Sequence, residues 1–159
     1  MSAVVNFFTS TFSGTLDAKG RVCIPAEYRS ALTAQHTDGV YLRRNHLNSS
    51  LEGFGDLRMQ QLLAAQAVQD PVFGTDTDDT VRLMLRMTQL LPRDENGRVR
   101  LPDSYIEHAG LKDRVTFAGE GASFYIWSTE AFEAMEDEDL KRARAAHAAR
   151  RAARMGDGT

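Results

Sequence analysis

Apolar and polar residues alternate along Val22-Cys23-Ile24 and again along Val99-Arg100-Leu101. A strand of period two sends Val22, Ile24, Val99 and Leu101 to one face, and Arg21, Cys23, Arg98 and Arg100 to the other. A turn signal stands before each run, Asp17-Ala-Lys-Gly20 and Asp94-Glu-Asn-Gly97. There the glycine supplies the positive φ that a tight hairpin needs, and the aspartate favours the start of the turn. Pro25 and Pro102 close the runs and suit the first turn of a helix, where no backbone donor is lost. Short helices AEYRSAL and DSYIEHA follow, the second stopped by Gly110 as its C′ residue. Val40-Tyr41-Leu42 and Val115-Thr116-Phe117 read as strands. A second strand pair, around Leu51–Phe54 and Ser123–Trp127, leads into longer helices that begin near Asp56 and Ser128, both good N-caps. The polar, acidic tract Thr75–Thr80 reads as the boundary between halves, and Val81–Leu91 as a helical turn or two followed by a strand.

The two halves are related by repetition. Residues 17–32 and 94–109 align at a constant offset of 77 without a gap. Identities fall at Asp17/Asp94, Gly20/Gly97, Arg21/Arg98, Val22/Val99, Pro25/Pro102 and Tyr28/Tyr105. Unrelated segments of this length would share about one, so the pattern signals duplication. Each half is then a β-hairpin, a short helix, two strands and a longer helix, too small to be comfortable alone. The fold class expected is α+β, mostly β, with duplicated units, short helices and a C-terminal helical tail. The boundaries expected are 7–53 for the first unit, 54–83 for a linking helix and acidic spacer, 84–127 for the second unit, and 128–159 for the tail.

Composition narrows the setting. The chain has 159 residues, 42% hydrophobic and 26% charged, as in ordinary globular proteins. No segment approaches the ~20 apolar residues of a membrane-spanning helix, and MSAVVNFFTSTFSG does not read as a secretory signal. The single cysteine, Cys23, cannot form an internal disulfide, consistent with a reducing cytosol. Net charge is −3, yet six basic residues and no acid lie between Leu140 and Met155, leaving −9 for the rest. Screening over ~8 Å lets a basic patch act locally on an acidic protein, so net charge does not exclude a nucleic-acid partner.

Two D-x-x-x-R signatures in register, Asp17–Arg21 and Asp94–Arg98, each ending in a G-R that is followed by a small apolar strand and proline (GRVCIP, GRVRLP), resemble the MraZ family. The stretch AGLKDRVTFAGEGASFYIW is similar to that family's second half, and the resemblance covers about Phe8 to Phe132. It implies two SpoVT-AbrB-type units of swapped-hairpin, double-psi type. It also implies binding to tandem G-rich repeats of double-stranded DNA in the protein's own promoter, upstream of the division and cell-wall genes, with regulation of their transcription. The partners implied are that DNA and identical subunits in a closed, octamer-like ring, in the cytoplasm and at the nucleoid. No cofactor, metal, membrane or small-molecule substrate is expected.

The candidate DNA-binding residues are Arg21, Arg98, Lys19 and Arg100, supported by Asp17, Asp94, Gly20 and Gly97. An exposed Asp–Arg clamp across a turn contributes only ~0–1 kcal/mol, a thin reason to repeat it twice. Arginine instead pairs bidentately with guanine O6 and N7 in a major groove that a two-stranded ribbon can enter. Lys19 at the tip and Arg100 beside Arg98 serve as phosphate anchors, or else as solvated charge. Asn96 stands where the first turn has Lys19, so the two turns cannot contact phosphate equally. Arg29, Arg43 and Arg44 are weaker candidates, expected to be solvated or in subunit contacts. Phe54, Phe117, Phe124, Tyr125, Trp127 and Phe132 read as core, and Cys23 lacks an activating base. The four histidines lack metal-ligand spacing, and no hydrolase, P-loop or zincin motif occurs, so no enzyme is expected. The tail reads as a helix carrying Asp137–Lys141 and Glu138–Arg142 pairs. The alternative reading is an AbrB-type antitoxin or adaptor that holds a protein partner; a structural ring protein is a third.

Overall fold

Proline at positions 25 and 102 lacks a backbone donor and is held extended, at ψ 143° and 146°, so each residue ends a strand and opens the helix behind it. In the computed structural model, which describes residues 5–69 and 79–156, this step occurs twice. The described elements are β1 (Thr11–Thr15), β2 (Arg21–Cys23), α1 (Ala26–Ala34), β3 (Gly39–Arg44), β4 (Leu51–Phe54), α2 (Asp56–Gln69), α3 (Asp79–Met87), β5 (Gln89–Pro92), β6 (Arg98–Arg100), α4 (Asp103–Ala109), β7 (Arg114–Gly119), β8 (Ser123–Ser128) and α5 (Thr129–Gly156). The architecture is α+β. Most of the acidic tract, Thr75–Asp78, lies outside the described residues.

Both turns form, but the hairpins expected around them do not. Beyond the first turn a single bridge, Leu16 to Val22, links its two arms. β1 instead pairs with β7 and β2 with β6, while β5 pairs with β3. The result is a six-stranded antiparallel sheet, β1-β7-β8-β4-β3-β5, and a separate ribbon, β2-β6. β1 and β5 are taken up by the large sheet, and the three-residue strands β2 and β6 pair with each other, with their Val22 and Val99 completely buried.

The core lies between the sheet, the inner face of the ribbon and helices α1 and α4. It gathers Val22, Ile24, Val99 and Leu101 with Phe8, Tyr28, Leu32, Tyr105, Phe117, Phe124 and Ile126. Two buried tyrosines tie helix to strand: the Tyr28 hydroxyl donates to Ser10 O (2.6 Å), and that of Tyr105 lies 3.1 Å from both Leu42 O and Met87 O. A second, smaller cluster (Phe54, Leu62, Met84) sits under α2 and α3.

Several local expectations need correction. Asp56 does not cap α2; its own N–H is bound by Thr37 Oγ1 (2.9 Å), and Leu57 N–H by Gln35 Oε1 (2.9 Å). Ser128 does cap α5, accepting from Ala131 N (3.2 Å). Arg43 is not solvated: it is 3% exposed and donates to Glu52 at 2.6 Å. Of the six aromatics read as core, Phe54, Phe117, Phe124 and Trp127 are buried, while Tyr125 and Phe132 keep one edge in solvent. On α5 the Asp137–Lys141 pair forms at 3.3 Å, but Arg142 turns to Asp139 (3.7 Å), and Glu138 faces Lys141 (3.8 Å).

Candidate nucleic-acid interface

The ribbon brings the candidate residues together. Arg21 faces Arg100 across it, Val22 faces Val99, and Cys23 faces Arg98. The valines are fully buried, so alternation puts all four flanking side chains on the outer surface, three of them arginine. One turn stands at each end, because Leu101 N donates to Gly20 O (2.8 Å) and Ile24 N to Gly97 O (2.9 Å).

The two turns are built alike. Asp17 Oδ1 accepts the backbone N–H of Lys19 and of Arg21 (both 2.9 Å), and Asp94 Oδ1 accepts those of Asn96 (2.9 Å) and Arg98 (2.8 Å). Gly20 and Gly97 take φ of 77° and 78°, the left-handed region that glycine enters without a Cβ clash. The other carboxylate oxygen of each aspartate accepts from the arginine Nε, at 2.8 Å for Arg21 and 2.9 Å for Arg98. The backbone N–H of Arg21 lowers the Asp17 pKa below its ordinary 3.8, helped by the Arg21 side chain and the Lys19 N–H; Asp94 is lowered in the same way by Arg98 and Asn96.

Asp17 and Asp94 hold the two arginines through Nε, and no hydrogen bond or ion pair engages the Nη groups of Arg21 or Arg98 among the described residues. Arg100 and the Lys19 ammonium have no carboxylate partner among the described residues. Like charges directly opposite each other on a ribbon are destabilising, and the Arg21–Arg100 pair is such an arrangement. A polyanion laid across the ribbon relieves it. Cys23 is exposed within this face, its thiol 3.3 Å from Asn96 O.

Two further arginines stand close by: Arg29, a weaker candidate from the sequence, and Arg93, which the sequence reading missed. Arg29 of α1 lies flat across Gly97, and Arg93 immediately precedes the second turn. Their signal in the sequence was a departure from the repeat: the residues 77 positions away are Ile106 and Leu16. Among the described residues no His, Cys, Asp and Glu cluster is arranged to hold a metal, and no helix is long and apolar enough to cross a membrane.

A family model described as "MraZ protein, putative antitoxin-like" matches residues 84–155. A protein of Gluconobacter oxydans named "Transcriptional regulator MraZ" is 36% identical over 152 residues, covering 94% of this chain and 92% of its own length. Proteins with the same name from Azorhizobium caulinodans (36% over 127 residues, 80% of each chain) and Rhodospirillum rubrum (33% over 136 residues, 84% of this chain and 86% of the relative) match comparably.

Proposed function

The chain belongs to the MraZ family, and from that premise we propose that it is a sequence-specific DNA-binding regulator of transcription and not an enzyme. The observation that carries this reading is the β2-β6 ribbon, with Arg21, Arg98 and Arg100 outward on a base of fully buried valines. A ribbon of this width enters the major groove, where Arg21 and Arg98 read guanine while Lys19 and Arg100 meet phosphate. Asp17, Asp94, Gly20 and Gly97 hold the two arginines in register. The matching turn geometry supports a tandem duplication of AbrB-like units, in which strands exchanged between halves build the ribbon.

The family resemblance extends the proposal to tandem G-rich repeats in the protein's own promoter, to the division and cell-wall gene cluster, to a closed homo-oligomeric ring, and to the cytoplasm and nucleoid. The test is fluorescence anisotropy on a duplex from the upstream region and on a scrambled duplex, each over a salt series. Counterion release predicts that affinity falls by orders of magnitude between ~50 and ~200 mM salt, with the upstream duplex preferred throughout. Weak, salt-insensitive binding to both would overturn the reading and favour an antitoxin-like adaptor.

A further inference from the structure

The two turns match each other but not in what lies beside them. A methyl group built on Gly97 would sit 2.3 Å from Arg29 Cδ and 2.6 Å from its Nε, so the guanidinium stem rests directly on the turn glycine. At Gly20 the corresponding neighbour is Ile106, whose Cδ1 would be 3.3 Å away. Arg93 precedes Asp94 where Leu16 precedes Asp17. Two departures from the repeat therefore place two guanidinium groups at the second turn and apolar side chains at the first.

Arg29 and Arg93 line an open cleft of about 550 Å³ between α1 and the second turn, with Ser30, Thr33 and Gly97. Arg29 Nε is buried without a hydrogen-bond partner, and Arg29 has no ion pair among the described residues. Arg93 is anchored through Nε to Gly39 O (3.0 Å) and through Nη2 to Thr37 O (2.7 Å), and among the described residues no hydrogen bond engages its Nη1. Burial and the nearby Arg29 charge both pull the Arg93 pKa down, while Asp38 acts the other way. Of the carboxylates on the cleft wall, Asp94 is occupied by Arg98 and the turn, and Glu95 is exposed. Two half-buried guanidinium groups near one another repel, and an oxyanion between them offsets that repulsion.

We propose that Arg29 and Arg93 form a phosphate-oxygen site that grips one DNA backbone phosphate beside the second turn. The inference rests on the DNA-binding reading of the ribbon and gives the two turns unequal tasks. The first carries its own phosphate anchor in Lys19; the second, with Asn96 in that place, takes its anchor from α1 and from the residue before the turn.

Arg29→Met keeps the stem over Gly97 and removes the charge. In the full-length protein it should weaken binding to upstream and scrambled duplexes by the same factor, about tenfold. It should also flatten the log-affinity against log-salt slope by up to ~0.9. Arg29→Lys should retain most of the slope, and it serves as the working variant if the methionine form fails to fold. Titrating inorganic phosphate while following the Arg29 Nε–H resonance separates a free anion from the backbone phosphate. A phosphate-induced shift together with wild-type DNA affinity and slope in Arg29→Met would overturn the proposal in favour of a free-anion site. Wild-type behaviour without any shift would overturn it outright. Failure of the unmodified protein to bind either duplex is a separate outcome, which removes the DNA reading itself.

Discussion

Arg21 is bonded to Asp17 through Nε, while Asp17 holds the turn through two backbone N–H groups that survive loss of the arginine side chain. Arg21→Ala should therefore leave thermal stability nearly unchanged, since an exposed pair contributes ~0–1 kcal/mol. It should erase the preference for the upstream duplex, because a bidentate guanine contact is worth ~1–3 kcal/mol of discrimination. Equal weakening on upstream and scrambled DNA would instead make Arg21 a phosphate anchor, and Arg98→Ala tests the second turn in the same way. The aspartates set a pH window. Their folded-state pKa values lie below 3.8, so the stability they contribute is complete above about 3.8 and is lost only as pH falls through the lower folded value. Carboxyl carbon titration by NMR should give both midpoints below 3.8. Any change in DNA affinity between about pH 5 and 8 should then come from other groups.

At the scale of elements, the turns, the proline-led helices and the inward valines were legible because each is a local signal of a few residues. Strand pairing was not. The Asp-x-x-Gly turns point to hairpins, yet each three-residue arm finds its partner in the other half, a choice made by burial across about 77 residues and invisible to local pattern. The candidate arginines were legible as outward positions, whereas their meeting on one ribbon depended on that exchange. β3 also defeats alternation, because the sheet is covered on both faces: Val40 and Leu42 enter the main core, while Tyr41 packs with the smaller cluster under α2 and α3. The same double covering hides Glu52 of β4, 1% exposed, between Arg43 of β3 and Ser123 of β8 (2.6 Å each), with Arg58 of α2 at 3.4 Å. This carboxylate ties three elements, and removing it strands a buried guanidinium. Glu52→Ala should lower the unfolding free energy by about 3–5 kcal/mol in urea denaturation. A loss below ~1 kcal/mol would mean that Arg43 finds water or another acceptor.

On the scale of the whole molecule, what remains exposed is an edge and an arm. The sheet ends in β1 and β5, with Leu90 of β5 57% exposed, and uncovered edges of this kind invite a second copy. Sedimentation without DNA should show an oligomer; a stable 17.7 kDa monomer at micromolar concentration would sink that expectation. The arm is α5, 28 residues with none buried. Six acids and no base fall within 130–139, and six bases and no acid within 141–154. Acid near the N-terminus and base near the C-terminus complement the helix dipole, which helps the arm persist without a core beneath it. Deleting Ala143–Thr159 removes Arg144, Arg150, Arg151 and Arg154 but no large buried side chain, so the folded core should remain. If the arm grips phosphate, upstream and scrambled duplexes should lose affinity by similar factors, and the salt slope should flatten by up to ~0.9 for each phosphate the protein no longer neutralises. If the arm packs on a neighbouring subunit, the oligomer should dissociate before any DNA is added. If it is only solvated, affinity, slope and assembly all stay as they were. Where Arg29→Met flattens the slope and leaves the sedimentation coefficient unchanged, the truncation in an Arg29→Met background separates the two phosphate grips: independent grips should give additive changes in slope, and a shared phosphate should not.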